Sequence, residues 1–267
     1  FLLSNIPKDK IIFNSDITNI EEFEKLKLSF NDNRKEEFDY IVAADGVYSR
    51  TKKILFKKEG TPKYFNSIAL RGNIQNFENL DISLYLGSNF HFVIYPINQN
   101  NEFNFISIVR KKLIESEITN RSLFKDKSFI DNLMSQISSK SDLNLTELVN
   151  EVKCFPIFVT KKIKIPSNKN IFLMGDAFFS FPPSFAQGAS QSIESANDLF
   201  NDLNNNLSNY YKKRVLKTKQ INSRSSINHY AFHLANPVNA FFRNIFLKYL
   251  SKNKSFLENY LGKIYKN

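Results

Sequence analysis

"IFLMGDAFFSFPPSFAQGASQSIESANDLF", residues 171–200, is an apolar run that stops at Gly175-Asp176, passes Pro182-Pro183, and restarts as a helical pattern after Gln187-Gly188. A short apolar run bounded by turn residues reads as a buried strand. In an open α/β sheet, ligands bind at the carboxyl ends of such strands, and an Asp there can accept hydrogen bonds from sugar or polyol hydroxyls. Gly175 would let a backbone come close to a ligand. Gly188, at the start of the next helix, would turn N–H groups and the positive end of a helix dipole toward an anion. Ile193, Ala196, Leu199, Phe200 and Leu203 follow one helical face, Ser184 and Gln187 have capping-box spacing, and the two prolines fix the loop before them.

A second strand end has the same form. In "FDYIVAADGVYSR", residues 38–50, an apolar run gives way to Asp45-Gly46 and then to Ser49, where a helix can start. Taken alone, Asp-Gly is a turn signal, because Gly tolerates positive φ and Asp bonds its own backbone. Around these two ends the chain alternates. Strands are expected in "IIFNSDITNI", "KLKLSF" and "FDYIVAA", the middle pair joined through the polar turn "NDNRKEE". A short helix follows over 49–57 and a break at Gly60–Pro62. The segments "SIALRGNI", "ISLYLG", "FHFVIYPI" and "FNFISIVR", with a turn at 98–101, predict an antiparallel sheet. Residues 121–150 read as helical on Phe129, Leu133, Ile137 and a second run Leu143–Val149; strands return in "VKCFPIFVT" and "NIFLMG", and helices dominate from Ala189 onward. "NDLNNNLSN" is a polar link. This order predicts an α/β nucleotide-binding domain interrupted by a substrate domain.

Composition narrows the function classes. The 267 residues are 42% hydrophobic, enough to bury a core. No run of apolar residues is long enough to span a bilayer. Cys154 is the only cysteine, which excludes an intrachain disulfide framework and a cysteine-rich metal site, and makes cytoplasm the default location. The net charge of +11 comes from lysines spread from Lys8 to Lys266, so a solvated basic surface is expected rather than a nucleic-acid site. The stretch "FFRNIFLKYLSKNKSFLENYLGKIYK" has an amphipathic look; such helices usually pack on their own domain, and peripheral membrane contact is not the favoured reading. Phe1, Leu2, Leu3 and Ile6 resemble the end of a helix entered in mid-pattern, so an upstream segment is expected and no targeting signal is legible.

"ADGVYSR" at 44–50, followed by "GDAFFSFPPSFAQGASQSIESA" at 175–196, resembles the FAD-dependent aromatic-ring hydroxylases, single-component flavoprotein monooxygenases related to p-hydroxybenzoate hydroxylase. Within them it is most similar to the salicylate hydroxylase, urate hydroxylase and zeaxanthin epoxidase branch. The likeness continues through "SIALRGNI", "LYLGSNFHFVIYPI" and "YYKKRVLKTKQINSRSSINHYAFHLANP". It implies FAD as cofactor, NAD(P)H as co-substrate, and oxygen activation as a flavin C4a-hydroperoxide that hydroxylates a small aromatic or related planar substrate. Asp45 and Gly46 match a motif near the FAD pyrophosphate, with Arg50 closing the same motif. Gly175 and Asp176 match the motif whose Asp binds the ribityl chain. Pro182, Pro183, Gln187, Gly188 and Ala189 match the loop and helix start beside the flavin ring. On the substrate side the candidates are Arg71, for a carboxylate, phenolate or enolate, with His91 and Tyr95; His229 and His233 rank below them.

The implied domains are 1–60, the first part of an incomplete Rossmann-like FAD-binding domain; 61–158, an antiparallel-sheet substrate domain; 159–205, the second FAD-binding part; and 206–267, C-terminal helices. Three departures stand against the family pattern. The seven glycines, at 46, 60, 72, 87, 175, 188 and 262, cannot form the GxGxxG that cradles the pyrophosphate. Phe179 stands where the family keeps a histidine, and Ser195 where it keeps an acid. The first βαβ unit is not in the sequence, so the chain is expected to be the C-terminal part of a longer enzyme and to bind FAD weakly by itself. Two alternatives stay open: an isoprenoid epoxidase-type monooxygenase, and a non-catalytic module that keeps the scaffold. No metal or nucleic-acid partner is expected, and oligomeric state is left open.

Overall fold

The computed structural model describes residues 3–78, 81–97, 101–203, 207–260 and 262–264. In chain order the strands are β1 (Ile17–Glu22), β2 (Leu26–Phe30), β3 (Lys35–Phe38), β4 (Ile41–Ala43), β5 (Lys63–Gln75), β6 (Ser83–Gly87), β7 (Phe90–Pro96), β8 (Glu102–Arg110), β9 (Val149–Val159) and β10 (Ile171–Leu173). The α-helices are α1 (Arg50–Phe56), α2 (Glu115–Thr119), α3 (Lys127–Ser138), α4 (Leu145–Leu148), α5 (Gly188–Leu203), α6 (Ser208–Phe232), α7 (Pro237–Leu250) and α8 (Lys254–Tyr260). The expected turn at 98–101 and the polar link at 201–209 fall partly outside the described residues. The chain divides into two compact units, residues 1–62, 160–180 and 188–215, and residues 63–159, 181–187 and 216–267.

In the first unit β1, β2 and β3 form an antiparallel meander. It differs from expectation: the first strand begins at Ile17, and β3 takes residues 35–37 from the supposed turn "NDNRKEE" and Phe38 from the start of "FDYIVAA", because Lys35 to Phe38 pair with Leu26 to Ser29. β4 pairs in parallel with β10, Ile41 opposite Ile171 and Ala43 opposite Leu173. The far edge of β10 is bonded by tyrosines. Tyr210 Oη donates to Leu173 O at 2.9 Å, Tyr211 Oη donates to Ile171 O at 3.1 Å, and Leu173 N donates to Tyr211 Oη at 2.9 Å. Buried backbone groups must find partners, and here phenols do what another strand would do. Burial pushes both tyrosine pKa values up, so the hydroxyls keep their protons.

The buried face of α5 is not the apolar stripe that the periodicity picks out. It consists of Gln191, Ser195, Leu199 and Asp202, whereas Ile193, Ala196 and Phe200 are exposed and Leu203 is 46% exposed. Arg214 explains the reversal. Its guanidinium, 3% exposed, donates to Gln191 Oε1 at 2.8 Å and pairs with Asp198 at 3.1 Å and Glu194 at 3.4 Å. A buried cation must be compensated by polar groups, so the helix turns its polar stripe inward and its apolar one outward.

The second unit is built on a five-stranded antiparallel sheet in the order β6-β7-β8-β5-β9. One face carries Ile68, Leu70, Ile74, Phe90, Phe92, Ile94, Phe103 and Phe105, all nearly inaccessible, and packs on Leu133, Met134 and Ile137 of α3. Each such side chain contributes about 2 kcal/mol of hydrophobic burial. Asp126 caps α3 by accepting from Phe129 N at 2.7 Å. The second helical run of the 121–150 segment is only the single turn α4; Val149 already belongs to β9, where it pairs with Ile74. Long-range pairing overrides a weak helical pattern there.

No described helix is long and apolar enough to cross a membrane.

Candidate functional site

In the first unit the parallel pairing of β4 and β10 sets the two motif ends beside each other. Asp45, two residues past β4, accepts from Thr51 N at 3.0 Å, and Ser49 accepts from Lys52 N at 2.9 Å. These two side chains cap α1 and satisfy donors that its first turn leaves free. Gly46 has φ +76°, and no atom lies within 4 Å of the place its Cβ would take, so the backbone faces open space. Arg50 pairs with Asp16 at 2.8 Å, with both side chains more than half exposed. A cleft of about 480 Å³ runs along β4, lined by Ile41 to Asp45, Tyr48, Arg50 and Thr51 together with Ser15, Asp16 and Ile17.

Past β10 the chain turns at Gly175, whose φ is +55°. A Cβ there would come within 2.6 Å of Ser192 Oγ, so the close approach that Gly175 allows is to α5. Ser195 holds the same turn by accepting from Gly175 N at 3.2 Å. Where the family places an acid, this serine spares a buried carboxylate and bonds the motif backbone instead. Phe179, at the position of the family's histidine, is 4% exposed, and its N donates to Gly175 O at 3.0 Å. Asp176 is half-buried. Desolvation raises its carboxyl pKa, and the charge of Lys52 pulls the other way.

Lys52 was not singled out in the sequence, where one lysine among so many carries no signal. It is 3% exposed and donates from Nζ to Phe178 O at 2.9 Å. Burial lowers its pKa to about 8, against the opposing influence of Asp176 and Asp45. An ammonium in that position must be held by nearby negative charge. Gly188 and Ala189, at the start of α5, are exposed, and no atom lies within 4 Å of the Cβ position of Gly188.

In the second unit the register puts Arg71, His91 and Tyr95 on the sheet face opposite α3. Arg71 lies across from Ile106, which faces Val93, while Tyr95 lies across from Asn104 and His91 from Ile108. Arg71 is exposed and has no ion pair among the described residues. Tyr95 Oη accepts from Asn104 Nδ2 at 2.5 Å. His91 is buried, and its Nδ1 lies 2.7 Å from Nε2 of His233. His229, in the last turn of α6, and His233, just past its end, have ring centroids 4.2 Å apart, so the three histidines of the chain form one cluster. Desolvation is the main cause that lowers their pKa values, to about 3 for His91, 4 for His229 and 2 for His233. Arg110 adds to the effect on His229 and His233; with Lys111, Lys112, Lys140 and His229 it lines a cavity of about 580 Å³. The i,i+4 spacing of His229 and His233 was visible in the sequence, but their meeting with His91 was not.

The loop before α5 also belongs to this unit. Pro182 is buried, Pro183 starts a 3-10 turn, and Gln187 is half-buried. The expected capping box is not formed: Ser184 lies inside that turn, and its hydroxyl is 3.1 Å from His229 Nδ1.

The model of a protein family described as "FAD binding domain" matches residues 13–228, most of the chain. The chain belongs to the FAD binding domain family. Among curated relatives of this FAD binding domain protein, 6-hydroxynicotinate 3-monooxygenase of Bordetella bronchiseptica is 25% identical over 211 residues, covering 72% of this chain and 51% of the relative. The 3-amino-4-hydroxybenzoate 2-monooxygenase of Streptomyces platensis is 24% identical over 250 residues, covering 87% and 61%. The chain thus spans about half to three-fifths of the length of these relatives. Among solved structures, HpxO of Klebsiella pneumoniae complexed with FAD and uric acid superposes with a TM-score of 0.76 at 15% identity, over 99% of this chain and 69% of that one. A salicylate hydroxylase substrate complex gives 0.70 at 16% identity, over 90% and 68%. The fold of this FAD binding domain protein is that of the FAD-dependent hydroxylases.

The residues present fit part of an FAD. Gly46 and Gly188 face open space, and Asp176 offers a carboxylate past a buried strand end. These are the features that a sugar-alcohol chain and a partly anionic ring require.

Proposed function

We propose that this chain carries the ribityl, ring and substrate segments of an FAD-dependent monooxygenase that hydroxylates a small aromatic or related planar substrate, with NAD(P)H as reductant and oxygen as oxidant. The observation that carries the reading is the parallel β4–β10 pair, which sets Asp45 and Asp176 past adjacent strand ends with the buried ammonium of Lys52 within electrostatic reach of both. Asp176 would accept from ribityl hydroxyls. Gly46 would let the cofactor approach the backbone, and the α5 start at Gly188-Ala189 would favour negative charge on the ring. Bound FAD would supply the redox and oxygen chemistry, and the protein orientation and exclusion of water.

On the substrate side the relatives' names contain 6-hydroxynicotinate and 3-amino-4-hydroxybenzoate, both hydroxylated aromatic carboxylates. An exposed guanidinium without an ion pair among the described residues, Arg71, suits such a carboxylate. His91 is neutral at ordinary pH. If its Nδ1 donates to His233, its Nε2 is left as an acceptor for a substrate hydroxyl, and Tyr95 adds a second polar group on the same face.

Titration of the purified chain with FAD, followed by flavin fluorescence, is expected to give saturable binding weaker than micromolar. Asp176→Ala should weaken it about tenfold, the loss of hydrogen bonds to a charged group. Identical titrations of the two proteins, or no saturable binding, would remove the reading. Turnover is tested by NAD(P)H oxidation stimulated by hydroxylated aromatic carboxylates, with the hydroxylated product identified by mass.

A further inference from the structure

α7 buries none of its residues, although its N-terminus is firmly built. Asn236 caps it by accepting from Val238 N and Asn239 N at 3.0 and 3.2 Å, and Pro237 takes its first position. Arg243 donates to Ala231 O and Phe232 O at 3.2 and 3.4 Å, tying α7 to the end of α6. Ala240, Arg243, Leu247 and Leu250 are half-buried on the inner side. The outer side carries Val238, Phe241, Phe242, Ile245, Phe246 and Tyr249, from 50% exposed at Ile245 to 73% at Tyr249. At 3.6 residues per turn these six cover an arc of about 140° along a helix of roughly 21 Å. The expectation that this amphipathic segment packs its apolar face on its own domain therefore fails for the larger of its two faces. A contiguous apolar stripe of this kind marks an interaction surface.

Charge decides between occupants. Over residues 237–264 the cations are Arg243, Lys248, Lys252, Lys254 and Lys263, and Glu258 is the sole carboxylate. A second copy would set this cationic segment against its own like. An anionic phospholipid surface complements both parts, the stripe entering the acyl boundary and the lysines meeting phosphates. Beside the stripe, Lys248 and Lys252 line a shallow cavity of about 600 Å³ with Ile245, Tyr249 and Asn253, which offers a phosphodiester headgroup two ammonium groups and an apolar wall.

We infer that α7 is an interfacial helix that docks this chain on an anionic phospholipid surface, with Phe241, Phe242 and Phe246 inserted and Lys248 and Lys252 holding the headgroup phosphate. The docking is independent of flavin, so its test does not depend on the proposed activity. The purified chain is sedimented with phosphatidylcholine vesicles with or without phosphatidylglycerol at about one-third of the lipid. Co-sedimentation should rise about tenfold or more with the anionic lipid and fall with added salt. Phe241→Ser with Phe246→Ser, and separately Lys248→Glu with Lys252→Glu, should each abolish it while the far-ultraviolet circular dichroism is unchanged, since all four positions are exposed. Absence of binding to anionic vesicles, or binding undiminished in both folded variants, would overturn the inference. So would a concentration-dependent dimer in sedimentation velocity that the Phe variant dissolves, because the stripe would then belong to a second copy.

Discussion

The two units treat buried ionisable groups in opposite ways. Past β4 and β10, Lys52 is almost wholly buried yet keeps its charge at neutral pH, because Asp176 and Asp45 offset part of its desolvation. In the histidine cluster of the second unit desolvation dominates, and the like charge of Arg110 adds to it at His229 and His233. Those rings are neutral. One region keeps fixed charges, and the other provides an uncharged hydrogen-bonding face that can accept a proton without carrying one beforehand.

The largest expected effect comes from acid. The unfolded chain, with histidines near pKa 6.5, holds more protons than the folded chain from there downward, since His229 regains its proton in place near pH 4, His91 near 3 and His233 near 2. Stability carried by the neutral cluster is complete above pH 6.5 and is lost on acidification, with a limiting slope of about 1.4 kcal/mol per pH unit for each histidine. Urea midpoints measured across this window should fall steeply, and less so for His91→Asn with His233→Gln. Parallel curves for the two proteins would break the comparison.

Lys52 gives the alkaline counterpart. Its pKa of about 8 in the fold lies below the 10.5 of the unfolded chain, so the unfolded chain holds more protons between those values and the folded state gains as pH rises. The gain across the window is about 3 kcal/mol. Lys52→Gln should remove it, as read from denaturant midpoints at pH 8 and 10.5. Equal gains in both proteins would mean that Asp176 and Asp45 hold the ammonium more fully than argued above.

The smallest effect is assigned to Arg50. Its pair with Asp16 is exposed, and such pairs contribute within about 0.5 kcal/mol. Arg50→Ala should leave thermal stability nearly unchanged; if FAD binding falls in the same variant, the side chain serves the cofactor rather than the fold.

The legible parts of the site were those built by local chemistry. Asp45-Gly46 and Gly175-Asp176 are turns at strand ends, and both glycines adopt positive φ, a requirement that a sequence states directly. The antiparallel sheet was equally visible, since alternation along β5, β7 and β8 reports which side chains face the core. The inward face of α5 was not legible, for an equally physical reason. Periodicity shows which residues share a stripe, but the choice of inward stripe was made by Arg214, which comes 23 residues after Gln191.

By itself the sequence determined the strand ends, the turn glycines, the sheet and the likeness to flavin-dependent hydroxylases, because these rest on neighbours along the chain. The tertiary structure alone decided that Lys52 is buried against Phe178, 126 residues away, that His91 meets His233, 142 residues away, and that the outer face of α7 stays uncovered. Burial and protonation depend on which distant groups exclude water from a side chain, and no local pattern carries that information.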